Sequence, residues 1–84
     1  MSDKTKRNQV EIIVAILELC RKPKVKTQVI YKTNMSFRGV QKFIKRLLEL
    51  DLLRFGEADG KYVTTEKGLE FIWKYEELEE LLKS

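Results

Sequence analysis

Apolar residues recur every three or four positions in four stretches of the chain and alternate with polar ones in a fifth. Val10, Ile13, Val14, Leu17 and Cys20 form the first stripe, widened by Ile12, Ile16 and Leu19. That spacing predicts an amphipathic helix over Asn8–Arg21 with a broad buried face, wide enough for two of its isoleucines to serve a second contact such as a partner chain. Pro23 stops it, and Arg21 and Lys22 suit its negative C-terminal end. After an extended link, Lys24-Val25-Lys26, a short helix is expected over Thr27–Lys32, with Thr27 as its cap, Val29 and Ile30 inward and Tyr31 half buried. The polar turn Thr33-Asn34-Met35-Ser36 follows, with Asn34 suited to positive φ.

Ser36 is a good N-cap for a longer helix over Phe37–Asp51. Phe37, Val40, Ile44, Leu47 and Leu48 make its expected inner stripe, with Phe43 on the margin; Arg38, Gln41, Lys42, Lys45 and Glu49 take the opposite side. Leu50, Leu52 and Leu53 mark the exit into two strand-like runs, 53–57 and 61–64, around Ala58-Asp59-Gly60, where Gly60 is free to take positive φ. Thr65 then caps a last helix, Glu66–Lys83, and Glu66 lies favourably in its first turn.

In that last helix, Phe71, Tyr75, Leu78 and Leu82 are spaced by four, three and four, the pattern of a coiled-coil seam. Leu69, Ile72 and Trp73 are placed to pack back on the body. The helix would run about 27 Å at 1.5 Å per residue. One small body covers its first half, leaving Leu78, Leu81 and Leu82 uncovered, and a second copy of the same helix is the economical cover.

Length and composition narrow the field. Eighty-four residues, 43% apolar and 36% charged, make one small globular domain, read as residues 1–84 with a body over 8–64 and a tail helix over 65–84. A core of this size is marginal alone, which again favours a partner surface. No apolar run approaches the ~18 residues of a membrane span, and the polar start Met-Ser-Asp-Lys-Thr-Lys-Arg has no signal-peptide core, so an intracellular, cytoplasmic protein is expected. Cys20 is the only cysteine and histidine is absent, which removes zinc fingers and His- or Cys/His-based catalysis; Cys20 itself reads as a small buried hydrophobe. The carboxylates do not converge into a catalytic set and no Gly-rich phosphate loop is present. No enzyme, cofactor, metal or small-molecule substrate is therefore expected. Much Lys and Glu beside little His, Asn, Gln, Cys and Met is the direction seen in hyperthermophile proteins. Charge is uneven: residues 1–64 carry 14 basic and 7 acidic side chains, a net of +7, whereas residues 65–84 carry 3 and 6, a net of −3. A basic body points to an anionic partner.

Helix, turn, basic helix and hairpin, in that order, is the layout of a winged helix-turn-helix. The fold class expected is mainly α with a small β-hairpin, plus a C-terminal coiled-coil-like dimerisation helix. In this layout the Lys24–Lys26 link often pairs with the hairpin as a third strand. The runs Lys32-Thr33-Asn34-Met35-Ser36-Phe37-Arg38, Phe43 to Leu53, and Tyr62-Val63-Thr64-Thr65-Glu66-Lys67-Gly68-Leu69-Glu70-Phe71 resemble small archaeal winged-helix DNA-binding proteins. The group is crenarchaeal, and crenarchaeal viruses and plasmids encode similar chains. The likeness covers nearly the whole chain. It implies binding of double-stranded DNA by a homodimer joined through an antiparallel C-terminal coiled coil, as a transcriptional regulator or a nucleoid protein.

On duplex DNA, the N-terminal half of a recognition helix meets base edges and its margins meet phosphates. Arg38 and Gln41 are the candidates for base reading, Arg with guanine and Gln with adenine. Lys42, Lys45 and Arg46 suit phosphates, as do Thr27 and Ser36 at their helix starts, flanked by Lys26 and Lys32. Arg54 and Lys61 lie in the wing, whose acidic Glu57 and Asp59 make its tip a poor electrostatic contact. Lys4, Lys6 and Arg7 form a basic arm. Gly39 permits either close approach to DNA or close packing against the preceding helix. Phe71, Tyr75, Leu78 and Leu82 are the dimerisation set. The rival reading is a winged-helix protein-interaction module without direct DNA contact.

Overall fold

A computed structural model describes residues 8–83. Their order is α1 (Gln9–Leu19), α2 (Lys26–Thr33), α3 (Phe37–Glu49), β1 (Leu53–Gly56), β2 (Lys61–Thr64) and α4 (Glu66–Lys83). Three helices and an antiparallel hairpin form a winged-helix body, and α4 extends from it, giving overall dimensions of 44 × 27 × 19 Å. The basic arm at residues 4, 6 and 7 lies outside the described residues.

The core is a single cluster in which Ile16 and Leu17 of α1 and its C-cap Cys20 meet Val29 of α2, Val40, Ile44 and Leu47 of α3, Leu53 and Tyr62 of the hairpin and Ile72 of α4. Cys20 is fully buried, as its place in the stripe predicts, and burial pushes its thiol up to about 11.

Local chemistry sets most of the boundaries. Asn8 caps α1, its side-chain oxygen accepting from the Glu11 N–H at 2.9 Å. The second helix begins earlier than expected. Thr27 lies inside it rather than at its cap, because Gln28 reaches back and accepts from the Val25 N–H at 3.0 Å, making Val25 the first anchored residue. Asn34 ends α2 in the left-handed region at φ 58°, as expected. Ser36 caps α3, accepting from the Gly39 N–H at 3.0 Å.

The third helix stops two residues short of the expected Asp51. Asp51 sits at φ 64°; its N–H donates to Leu48 O at 3.1 Å, and the Leu52 N–H donates to Leu47 O at 2.9 Å. This is a Schellman ending with an aspartate where glycine is usual, closed by the buried pair Leu47 and Leu52.

In the hairpin, Leu53 faces Thr64, Arg54 faces Val63, Phe55 faces Tyr62 and Gly56 faces Lys61. The loop is four residues, Glu57–Gly60, with Gly60 at φ 68° and its N–H on Gly56 O at 2.7 Å. On its other edge Tyr62 exchanges both backbone hydrogen bonds with Lys24, at 3.0 and 2.7 Å, so the expected third strand is present as a single bridge. Those bonds point the Tyr62 backbone away from β1, which makes Phe55–Tyr62 a non-hydrogen-bonded pair with close side chains; the ring centroids are 4.9 Å apart.

Several apolar positions lie elsewhere than expected. Phe37 and Leu48 are exposed, 59% and 37%, and not part of the inner stripe. At 100° per residue they fall about 20° from each other and about 50° and 70° round from the middle of the Val40–Ile44–Leu47 line, on the Ile44 side of it, which puts them on one shoulder of α3. Tyr31 is 82% exposed because Val29 and Thr33 take the inward positions of the two-turn α2. Trp73, beside the buried Ile72, points away from the body and is 54% exposed; Val10, at the start of α1, is exposed as well.

The junction before α4 is closely packed and densely hydrogen-bonded. The Thr64 hydroxyl donates to Leu17 O at 2.7 Å and its N–H to Cys20 O at 2.8 Å. The Thr65 hydroxyl donates to Asp51 O at 2.7 Å, its N–H donates to Leu52 O at 3.1 Å, and the same hydroxyl accepts from the Gly68 N–H at 3.0 Å, capping α4. A Cβ at Gly68 would collide with the Leu52 carbonyl oxygen and the Thr64 methyl group. Gly68→Ala is therefore expected to cost about 1–3 kcal/mol in urea unfolding, despite alanine's better helix propensity; a variant as stable as the parent would show that the junction has slack.

Candidate nucleic-acid interface

The outer face of α3 is set by the same periodicity that buries Val40, Ile44 and Leu47. Arg38, Gln41, Lys42, Lys45, Arg46 and Glu49 all lie exposed on it. Among the described residues the sole ion pair is Arg21–Glu18, at 3.5 Å on α1, so Arg38, Lys42, Lys45 and Arg46 have no carboxylate partner within ion-pair distance there. Cations without carboxylate partners are free to replace counterions on an anionic polymer.

This face continues into an open groove of about 820 Å³ between α3 and the first residue of α1, lined by Gln9, Gly39, Lys42, Phe43, Lys45, Arg46, Glu49 and Leu50. Gly39 is half buried within that lining, and neither expected reading of it includes what a Cβ there would meet: Ser36 Oγ at 3.2 Å and Met35 Cε at 3.3 Å, both movable side-chain ends of its own turn. Packing against α2 does not explain the glycine.

On the opposite shoulder of α3 a second cluster forms, whose full extent sequence spacing does not reveal. Lys26, at the start of α2, donates through Nζ to Gln41 Oε1 at 3.2 Å and stands over the Phe37 ring at 5.5 Å from its centroid. Because lysine only donates, the contact turns the Gln41 oxygen toward α2 and leaves its NH2 group facing outward. The cluster joins residues 15 positions apart and depends on the packing of α2 against α3.

The remaining expected residues are spread around this core set. Ser36 is exposed at the α3 cap, Thr27 is exposed in the first turn of α2, and Lys32 is exposed in its last turn. Arg54 and Lys61 share the outward face of the hairpin, since both alternate with the inward Leu53 and Tyr62. Arg54, however, lines a different groove, with Asp51, Glu66 and Lys67. The structure does not bring it to the groove of Lys42, Lys45 and Arg46, and its surroundings include two carboxylates.

On α4, the four seam positions divide. Phe71 and Tyr75 are half buried, Phe71 against the core, whereas Leu78 and Leu82 are 55% and 79% exposed, with Leu81 at 74%. The Tyr75 hydroxyl donates to Glu79 Oε2 at 3.0 Å, and that bond, aided by partial burial and by the charges of Glu79 and Glu11, pushes its pKa above the usual phenol value. Among the described residues no group of three or more His, Cys, Asp or Glu is placed to hold a metal, and no helix is long and apolar enough to cross a membrane.

A winged helix-turn-helix family model matches residues 6–83. No curated protein sequence matches the chain. Among solved structures the chain is similar to Sso10a-2, described as a DNA-binding protein from Sulfolobus solfataricus, with 26% identity and a TM-score of 0.80 over 92% of this chain and 83% of that one.

Proposed function

The chain belongs to the winged helix-turn-helix family, and from that premise we propose that it binds double-stranded DNA with α3 in the major groove. The observation that carries this reading is the exposed row Arg38, Gln41, Lys42, Lys45 and Arg46, whose cations have no carboxylate partner among the described residues. The description of Sso10a-2 as a DNA-binding protein supports it. Arg38 and Gln41, in the N-terminal half of α3, read base edges; Lys42, Lys45 and Arg46 hold phosphates, with Ser36, Thr27, Lys32 and Lys61 at the periphery. Arg54, beside Asp51 and Glu66, contributes least. RNA is a poorer fit, because a deep, narrow A-form major groove does not admit a helix.

The active species in this reading is a homodimer. The described residues act as one unit: the body engages DNA, and the exposed Leu78, Leu81 and Leu82 of α4 pair with a second copy through the seam that starts at Phe71 and Tyr75. Two bodies so joined meet duplex DNA at half-sites about 10 bp, or a multiple, apart. Such a protein acts as a regulator or a nucleoid component in the cytoplasm.

Two measurements test these statements. In fluorescence anisotropy with duplex DNA, Arg38→Ala combined with Lys42→Ala should weaken binding at least tenfold, while Glu49→Ala, on the same face, should not weaken it; equal effects would remove α3 from the interface. In sedimentation equilibrium the parent chain should be a dimer and Leu78→Glu with Leu82→Glu a monomer with unchanged helix content. A variant that stays dimeric would place the interface elsewhere.

A further inference from the structure

Phe37 is the first residue of α3, and it is 59% exposed although it is among the largest apolar side chains of the body. Its neighbours are cationic or polar: Lys26 over the ring, Arg38 next in sequence and Gln41 one turn on. Core packing does not explain the residue, since Val40, Ile44 and Leu47 fill that role. Nor does the tail seam, which lies on another helix.

We infer that Phe37 is a specificity-determining residue that packs against the 5-methyl group of thymine in the major groove. The inference rests on the proposed placement of α3 on DNA. Within that placement, the first turn of the helix is the part that meets base edges. Thymine is the base that shows an apolar group there, and phenylalanine is one of the side chains that contacts it. Lys26 covers the ring from the α2 side and holds Gln41 beside it. Side chains four apart on a helix are about 5–6 Å apart at Cβ, so Phe37 and Gln41 reach neighbouring base pairs. Gln41, with its NH2 group outward, donates to a purine N7 or a thymine O4, and the pair reads a short step containing thymine.

The test compares site selection from a random duplex pool by the parent, Phe37→Ala and Phe37→Leu. The selected duplex is then remade with deoxyuridine in place of each thymine in turn, which deletes only the methyl group. The parent should enrich thymine and lose about fourfold in affinity at one position on methyl deletion, the equivalent of ~0.8 kcal/mol for one buried methyl-sized group. Phe37→Ala should bind thymine and deoxyuridine duplexes alike, and Phe37→Leu should retain part of the difference. Phe37 is exposed, so both variants should melt like the parent. If all three bind DNA and show the same thymine-to-deoxyuridine ratio, or if selection enriches no thymine, the inference fails while DNA binding stands. If the parent binds no duplex at low salt, the DNA-binding reading itself fails and the inference with it.

Discussion

Two adjacent threonines hold the architecture together. Thr64 ties the last turn of α1 to β2 through its hydroxyl and its N–H. Thr65 ties the exit of α3 to the start of α4, and its hydroxyl both donates to Asp51 O and caps α4. Each hydroxyl bond contributes only about 1 kcal/mol net, but losing one would leave a carbonyl without a partner at a cost of about 1–3 kcal/mol. Their combined effect is geometric. They converge with the close approach at Gly68 to fix α1, the α3 exit, the hairpin and α4 relative to one another. The basic face of α3 and the apolar end of α4 are therefore set in one frame, with the angle between them decided at residues 64–68.

That frame separates two kinds of surface. Residues 1–64 have net charge +7, and the α3 cations have no ion-pair partner among the described residues, whereas residues 65–84 have net charge −3 and include the exposed Leu78, Leu81 and Leu82. A basic, polar surface suits a hydrated polyanion, and an apolar stripe rimmed by glutamates suits another apolar stripe. Keeping the two apart lets one engage DNA while the other engages a second chain, in the reading proposed above.

Much of this was legible in the sequence because the relevant forces are local or periodic. The core positions Leu17, Cys20, Val40, Ile44, Leu47 and Ile72 follow from helical spacing, and Asn34, Gly60, Ser36 and Thr65 announce their turns and caps by side-chain chemistry. What was misread depends on tertiary placement or on a contest between neighbours. Phe37 fits an inward stripe until the angle at which α3 meets the core is known. Thr27 is a good cap in isolation, but Gln28 anchors the chain two residues earlier, at Val25. Trp73 has no signal beyond its size, and its place on the outer side of α4 depends on Ile72 and Gly68 taking the inner one. The left-handed Asp51 gave no glycine to find, and the Lys26–Gln41–Phe37 cluster joins two helices across a turn. The candidate site residues on α3 were legible as an exposed row; Arg54's separation from that row was not.

Binding in this reading depends on the cations of α3 displacing counterions from duplex DNA. The most direct measurement is the affinity of the parent chain for a random-sequence duplex as salt rises from about 50 to 300 mM, where each phosphate contact lowers log K by about 0.9 per unit of log salt. A slope of about −3 or steeper, matching contacts by at least Lys42, Lys45 and Arg46, is the predicted result. A flat response, or no binding at the lowest salt, would contradict the account and make the protein an interaction module whose partner is sought at the exposed end of α4.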